Sequence, residues 1–257
     1  MAAQPVAVAP RASLLRNRYA VFGVVMLVLL MGTMNVTLVL VAVLHIQQGL
    51  DTTLAWVSWT VTGHQLAQVA TMPLAAKLGD QFGRKRVFLG AIVCFLAGST
   101  GAGLAPNIGT LILFRVVMGF GVGAFMPSAA GIVADLFPRQ RAKMIGLFST
   151  FLPFGWVLGP NLGGFVVGNL SWRWAMLANA PIAIVAFAAM AAMLTESRRA
   201  AARHHFDVMG ASLLAGGVIS FMLAFTLLGG RYSISFLSVP PLFALSLALL
   251  WLFWRHE

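Results

Sequence analysis

Lys77-Leu78-Gly79-Asp80-Gln81-Phe82-Gly83-Arg84-Lys85-Arg86 is a short charged stretch caught between two long apolar runs. It holds one acid, four bases and two glycines in a chain that is only 9% charged. Glycines four residues apart permit a tight turn where the backbone needs positive φ, and Asp80 can accept hydrogen bonds from nearby backbone or arginine donors. Such a turn latches helix ends together. The chain around it has 257 residues, is 60% hydrophobic and has a mean hydropathy of +0.91, too apolar for its surface to be covered by polar groups in water. The lipid bilayer is its expected surrounding.

Eight apolar runs reach the roughly 17 to 25 residues that a membrane-spanning helix needs. They lie near Tyr19–Leu44, Leu54–Ala76, Val87–Ala105, Ile108–Ala134, Met144–Val167, Trp174–Leu194, Val208–Leu228 and Phe236–Trp254. The expected organisation is an all-α membrane protein in four parts. Residues 1–18 form a cytoplasmic arm, 19–195 a six-helix bundle, 196–207 a basic linker and 208–257 an extra hairpin.

The net charge of +11 could suggest nucleic acid, but the bases fall in alternate connections. Arg11, Arg16 and Arg18 precede the first run; Lys77, Arg84, Lys85 and Arg86 follow the second; Arg139, Arg141 and Lys143 follow the fourth. Arg198, Arg199 and Arg203 follow the sixth and Arg255 the eighth, while the other side carries only Arg173 and Arg231. That asymmetry is what the positive-inside rule predicts, so no nucleic-acid partner is invoked, and both termini are expected on the cytoplasmic side of the plasma (inner) membrane. Cys94, the only cysteine, cannot form an internal disulfide and reads as a packing residue. The first run is too long for a signal-peptide core and is expected to stay as a span.

The charged stretch resembles the loop between the second and third helices of major facilitator superfamily transporters, Gly-x-Leu-Ala-Asp-x-x-Gly-Arg-Lys-x, with Ala76 at the first glycine. The resemblance implies a cytoplasmic gating loop made of Gly79, Asp80, Gly83, Arg84 and Lys85. It also implies a bundle of two inverted three-helix repeats, and Asp135-Leu136-Phe137-Pro138-Arg139-Gln140-Arg141 echoes the first charged stretch as such a repeat would. Later motifs resemble the drug:proton antiporter branch with fourteen helices. Gly155-Trp156-Val157-Leu158-Gly159-Pro160-Asn161-Leu162-Gly163-Gly164 is similar to that family's exporter signature, whose positions here are Gly155, Gly159, Pro160, Gly163 and Gly164. Read physically, Gly155 and Gly159 are a small-xxx-small pair and Pro160 favours a kink. Trp172-Arg173-Trp174 with Asn179 and Pro181, and Phe206-Asp207-Val208-Met209-Gly210, resemble the same branch.

Five polar residues inside the runs are candidates for a substrate or proton pathway: Asn35, Thr37, His64, Gln68 and Arg115. Asn35 stands where that branch carries a membrane aspartate, and an asparagine releases no proton. Asn35 is either part of the pathway or an interhelical hydrogen-bond former. His64 and Gln68 are one helical turn apart and can share a polar stripe. His64 can titrate near neutral pH, as a proton handler or as a neutral ring bonded to a neighbouring helix. Arg115 falls on a pattern implicated in proton transfer in the family, with Met118 at its glutamine; an embedded arginine must face the protein interior, where it tunes a neighbour, contacts substrate or holds helices together. All six acids, Asp51, Asp80, Asp135, Glu196, Asp207 and Glu257, fall at span ends or in loops.

No embedded acid pair, metal cluster or P-loop is legible, so neither an enzyme nor a cofactor or metal is expected. The resemblance implies the amino-terminal half of a proton-driven exporter of small amphipathic molecules, with the second six-helix bundle missing. A truncated product, one partner of a split transporter or a self-associating unit all fit. The alternative is a membrane scaffold or assembly subunit that transports nothing.

Overall fold

The computed structural model describes residues 11–194, 208–229 and 239–256, and of these the side chains of 11–17, 208, 211 and 228–229 are not described. Among the described residues every regular element is an α-helix: α1 (Arg11–Gly49), α2 (Leu54–Phe82), α3 (Arg84–Gly103), α4 (Ile108–Leu136), α5 (Arg141–Asn169), α6 (Trp172–Leu177), α7 (Asn179–Met193), α8 (Val208–Gly229) and α9 (Val239–His256). The basic linker with Arg198, Arg199 and Arg203, most of the arm, Glu196, Phe206, Asp207, Arg231 and Glu257 lie outside the described residues.

Several expected boundaries move. α1 starts at Arg11, inside the expected arm, and runs through His45-Ile46-Gln47-Gln48 to Gly49. The tight turn expected within Lys77–Arg86 is confined to one residue: α2 continues to Phe82, α3 starts at Arg84, and the break is Gly83, whose φ of 98° lies in the left-handed region that favours glycine. The expected sixth run is two helices, because Pro181 has no N–H to offer the Leu177 carbonyl one turn back. Beside the break the Asn179 amide donates to the carbonyls of Ala175 and Met176, at 3.4 and 3.3 Å.

Among the described residues six helical segments are long and apolar enough to cross a membrane: Arg18–Gly49, Arg84–Gly103, Ile108–Leu136, Arg141–Asn169, Trp172–Met193 and Val239–His256. Two expected spans are not among them. α2 is long enough but carries Thr60, Thr62, His64, Gln65, Gln68 and Thr71; it packs lengthwise on α4, with Thr60 and His64 buried and the other four half-buried. The apolar part of α8, Ser212–Leu227, is shorter.

Helix pairing follows an internal symmetry. The most extensive contacts are α2 with α4, α3 with α4 and α1 with α5, and α1 also packs on α7. Counting α6 and α7 as one bent helix, exchange of α1–α3 with α4–α7 turns the α2·α4 pair into α5·α1, and α3·α4 into α7·α1. This is the pairing that two inverted three-helix repeats produce. The pair α8 and α9 packs mainly on itself and touches the bundle through α2. In its seam Phe221, Phe225 and Phe243 meet edge to face, and the Ser246 hydroxyl donates to the Gly217 carbonyl at 2.8 Å.

The bundle has two apolar cores. One gathers Val25, Phe88, Phe95, Met118, Phe125 and Ile132 toward the end that carries the charged loops. The other gathers Val39, Ile46, Val57, Leu111, Trp172 and Met176 toward the opposite end. Between these cores α1, α2 and α4 each bury polar side chains: Asn35 on α1, Thr60 and His64 on α2, and Arg115 on α4.

Candidate functional site

That polar layer is built on Arg115. Its side chain is 0% exposed, as are those of Asn35, His64 and Thr60. A guanidinium in such a place is tolerated only where acceptors surround it. Arg115 Nε donates to the Thr60 carbonyl of α2 at 3.1 Å; Nη1 donates to Asn35 Oδ1 of α1 at 2.5 Å and points at Met118 Sδ at 3.4 Å. The Arg115 backbone carbonyl faces His64 Nδ1 at 3.1 Å. A carbonyl only accepts, so Nδ1 of the neutral ring carries the proton and Nε2 keeps its lone pair. Among the described residues Arg115 Nη2, Asn35 Nδ2 and His64 Nε2 are buried without a hydrogen-bond partner.

Helix register explains the layer. Arg115 and Met118 are three residues apart and share one face of α4; Thr60 and His64, four apart, share one face of α2. Gly119 and Gly123 bring these two helices into backbone contact. A Cβ at Gly119 would lie 2.9 Å from that of Ala67, and one at Gly123 would lie 2.8 Å from that of Thr71. Without those glycines the guanidinium would not reach the Thr60 carbonyl.

Three of the five expected pathway residues, Asn35, His64 and Arg115, therefore meet. Gln68 and Thr37 do not join them. Thr37 is two residues from Asn35 and so on another face of α1; its hydroxyl donates to the Met34 carbonyl at 3.1 Å and reaches the Gly155 carbonyl of α5 at 3.5 Å. Gln68 lines a cavity of about 870 Å³ between α1, α2, α4, α5 and α8. Its wall is mostly apolar, with Val36, Phe125, Leu152 and Trp156, and its polar groups are Thr33, Gln65, Gln68 and Ser149. Asn35 sits between the cavity residues Thr33 and Val36, and His64 precedes Gln65, so the polar layer is immediately behind one edge of the cavity wall.

The glycines of α5 divide. Gly155 and Gly159 face the Thr33 and Thr37 hydroxyls, and a Cβ at Gly163 would lie 3.2 Å from Leu38 Cγ. Gly164 has nothing within 4 Å and Pro160 is exposed. Three of the five signature residues thus form the α1–α5 seam, which borders the cavity.

At the charged end Arg84 ties three helices. Nη2 meets Asp80 Oδ1 at 3.1 Å, while Nη1 meets Asp135 Oδ1 at 3.0 Å and donates to the Gly131 carbonyl at 2.7 Å. A Cβ at Gly131 would lie 2.6 Å from Arg84 Cδ, so that glycine makes room for the side chain. Lys85 Nζ donates to the Ala191 carbonyl of α7 at 2.8 Å, and Gly79 accepts from the Gly83 N–H at 3.1 Å. The pairing of Arg84 with Asp135 was not read from sequence, although the echo between the two charged loops was its signal. Thr60 and Met118 were also missed as partners of Arg115: one acts through its backbone, the other through a thioether.

Comparison with known proteins agrees with this architecture. The chain is 37% identical over 201 residues to "Multidrug resistance protein B homolog" of Mycobacterium tuberculosis, covering 78% of this chain and 37% of that protein. It is 35% identical over 195 residues to "Multidrug transporter protein MdtP" of Bacillus subtilis, covering 76% and 36%, and 34% identical over 228 residues to "Multidrug resistance protein 3" of the same organism, covering 88% and 44%. The chain thus spans between 36% and 44% of the length of these curated relatives. Among solved structures, a bacterial homolog of the human lysosomal transporter Spinster superposes with a TM-score of 0.64 at 20% identity, over 81% of this chain and 51% of that one. The inward-open xylose transporter XylE of E. coli gives 0.63 at 16% identity, over 84% and 58%. These two carry the fold alone. The sequence profile described as Major Facilitator Superfamily matches residues 24–256, and with the inverted-repeat packing and the charged loop held by Arg84, the chain belongs to that superfamily.

Proposed function

We propose that this chain supplies the amino-terminal half of an exporter that uses the proton gradient to expel small amphipathic molecules, with a second bundle, or a second copy, closing the cavity from the other side. The observation that carries this reading is the cavity. About 870 Å³ is the size of a small-molecule site, and an apolar wall with four polar side chains suits an apolar body with one or two polar groups. The printed names of the relatives, among them "Tetracenomycin C resistance and export protein" of Streptomyces glaucescens, support outward movement. His64, with a lone pair on a buried Nε2, is the proposed proton handler of this half. The distribution of bases supports a cytoplasmic position for the charged end of a protein proposed to lie in the plasma (inner) membrane.

Protein purified with whatever second bundle or second copy accompanies it, in liposomes with an imposed pH gradient, tests the reading. The expected outcome is gradient-dependent movement of a lipophilic dye that stops on adding a protonophore, and a flattened pH dependence in His64→Phe. A preparation that moves no dye under any gradient would support the scaffold alternative instead.

A further inference from the structure

The charge on Arg115 meets no carboxylate among the described residues. Asp51, Asp80 and Asp135 lie at helix ends, and Arg84 engages the last two. Inside the bundle the guanidinium is bonded to a neutral amide, a backbone carbonyl and a thioether, none of which cancels a positive charge. Because Asn35 Oδ1 is the acceptor of that bond, its Nδ2 is a donor. Nη2 of Arg115 and Nδ2 of Asn35 are therefore two N–H groups of one bonded pair, both fully buried and both without an acceptor. An unsatisfied donor in a dry interior is unfavourable, and most so when it belongs to a charged group. What the pair lacks is an anionic acceptor.

The pair lies where a bound molecule would feel it. Gly32, Thr33 and Val36 of the cavity wall surround Asn35 in sequence, Gln65 follows His64, and among the described residues no charged side chain lines the cavity. A positive charge one layer behind such a wall is screened by little water and acts on the cavity at low effective dielectric. Thr33, Gln65 and Gln68, on the same edge, offer side-chain donors to the same group.

We propose that the cavity selects molecules with an apolar body and an anionic, carboxylate-type group, and that Asn35 sets this preference by bonding Arg115 without neutralising it. The inference rests on the cavity being the substrate site. Asn35 is a specificity-determining residue in this scheme: an aspartate of the same shape would supply Arg115 with its own anion and leave nothing for the ligand to neutralise. The positive layer also repels a cationic ligand and gives a neutral one no advantage.

The test is calorimetric titration of the full chain, with whatever subunit co-purifies, in phosphatidylcholine nanodiscs, using empty nanodiscs as reference. The probes are naphthylacetate, naphthylethanol and naphthylethylamine, which share one apolar body. The expected result is that wild type binds the carboxylate at least about tenfold more tightly than the alcohol, as a charge-assisted contact would give, and binds the amine most weakly. Asn35→Asp should remove the advantage of the carboxylate and leave the alcohol unchanged. Arg115→Gln, which removes the charge by another route, should do the same. Equal binding of carboxylate and alcohol to wild type overturns this proposal and leaves the cavity reading standing. Binding of no probe overturns the cavity reading and this proposal with it. An Asn35→Asp chain that keeps the full preference for the carboxylate, or loses carboxylate and alcohol alike, overturns the role of Asn35.

Discussion

A guanidinium has five N–H donors in a fixed fork, and in this chain the acceptors come from three helices, so Arg115 fixes the spacing of α1, α2 and α4 in the middle of the bundle. Asn35 holds the α1 side of that arrangement. Replacing it by leucine, of similar volume, keeps the packing and removes the acceptor, so Asn35→Leu should lower stability by about 1–3 kcal/mol, read as a lower melting temperature in detergent. Asn35→Asp, which keeps an oxygen there, should melt close to wild type. A leucine variant as stable as wild type would show that the bond holds nothing. Asn35, His64 and Arg115 were legible as a group because a polar side chain in a long apolar run must face protein, whatever its role. Their acceptors were not, since a backbone carbonyl on a neighbouring helix leaves no residue-type signal. That Thr37 lies apart from them follows from the sequence itself: residues two apart on a helix point to different sides.

Helix α5 shows that one motif can carry two physical roles. Gly155, Gly159 and Gly163 recur every fourth residue and press on α1, while Gly164 turns away from the bundle. The pattern Gly-x-x-x-Gly was enough to predict a close-packed face; the partner helix was not, because small residues say that something comes near but not what. Gly159→Leu should therefore force α5 away from Thr37 and the Met34 carbonyl, costing about 1–3 kcal/mol as overpacking does. Gly164→Leu, one residue from the seam, should stay within about 0.5 kcal/mol of wild type. Thermal melting of the two variants side by side decides, and equal losses would mean that helix propensity rather than the seam sets the effect. Helix α2 shows the converse limit. Its start at Leu54 was read correctly, but it runs past the expected end at Ala76 to Phe82, and six polar residues lower its hydropathy below that of a membrane span; Thr60 and His64 are buried in the bundle, while Gln65 and Gln68 line the cavity.

On the scale of the whole molecule, the two ends of the bundle differ. At the charged end Arg84 and Lys85 lock α2, α3, α4 and α7 together, and at the other the Arg173 guanidinium donates to the Ala105 carbonyl of the loop before α4 at 3.0 Å. Between them the cavity side of α5 keeps large apolar side chains exposed, Trp156 at 65% and Val157 at 64%. Lipid would cover such a face, but so would a second bundle, and the proposed function requires the second. The two covers differ in how they admit a lipid-soluble thiol reagent. In a chain whose native Cys94 is replaced by alanine, cysteine can be placed at Val157 on the cavity side or at Val93 on the outward face of α3, which is 49% exposed. If another bundle seats on α5 in the native membrane, Val157→Cys should react several times more slowly with a lipid-soluble maleimide than Val93→Cys, and the two rates should converge once the chain is purified away from its partner. Equal rates in the native membrane would mean that lipid meets α5 directly, and the two-bundle reading would fail while the fold and the Arg115 layer stood unchanged.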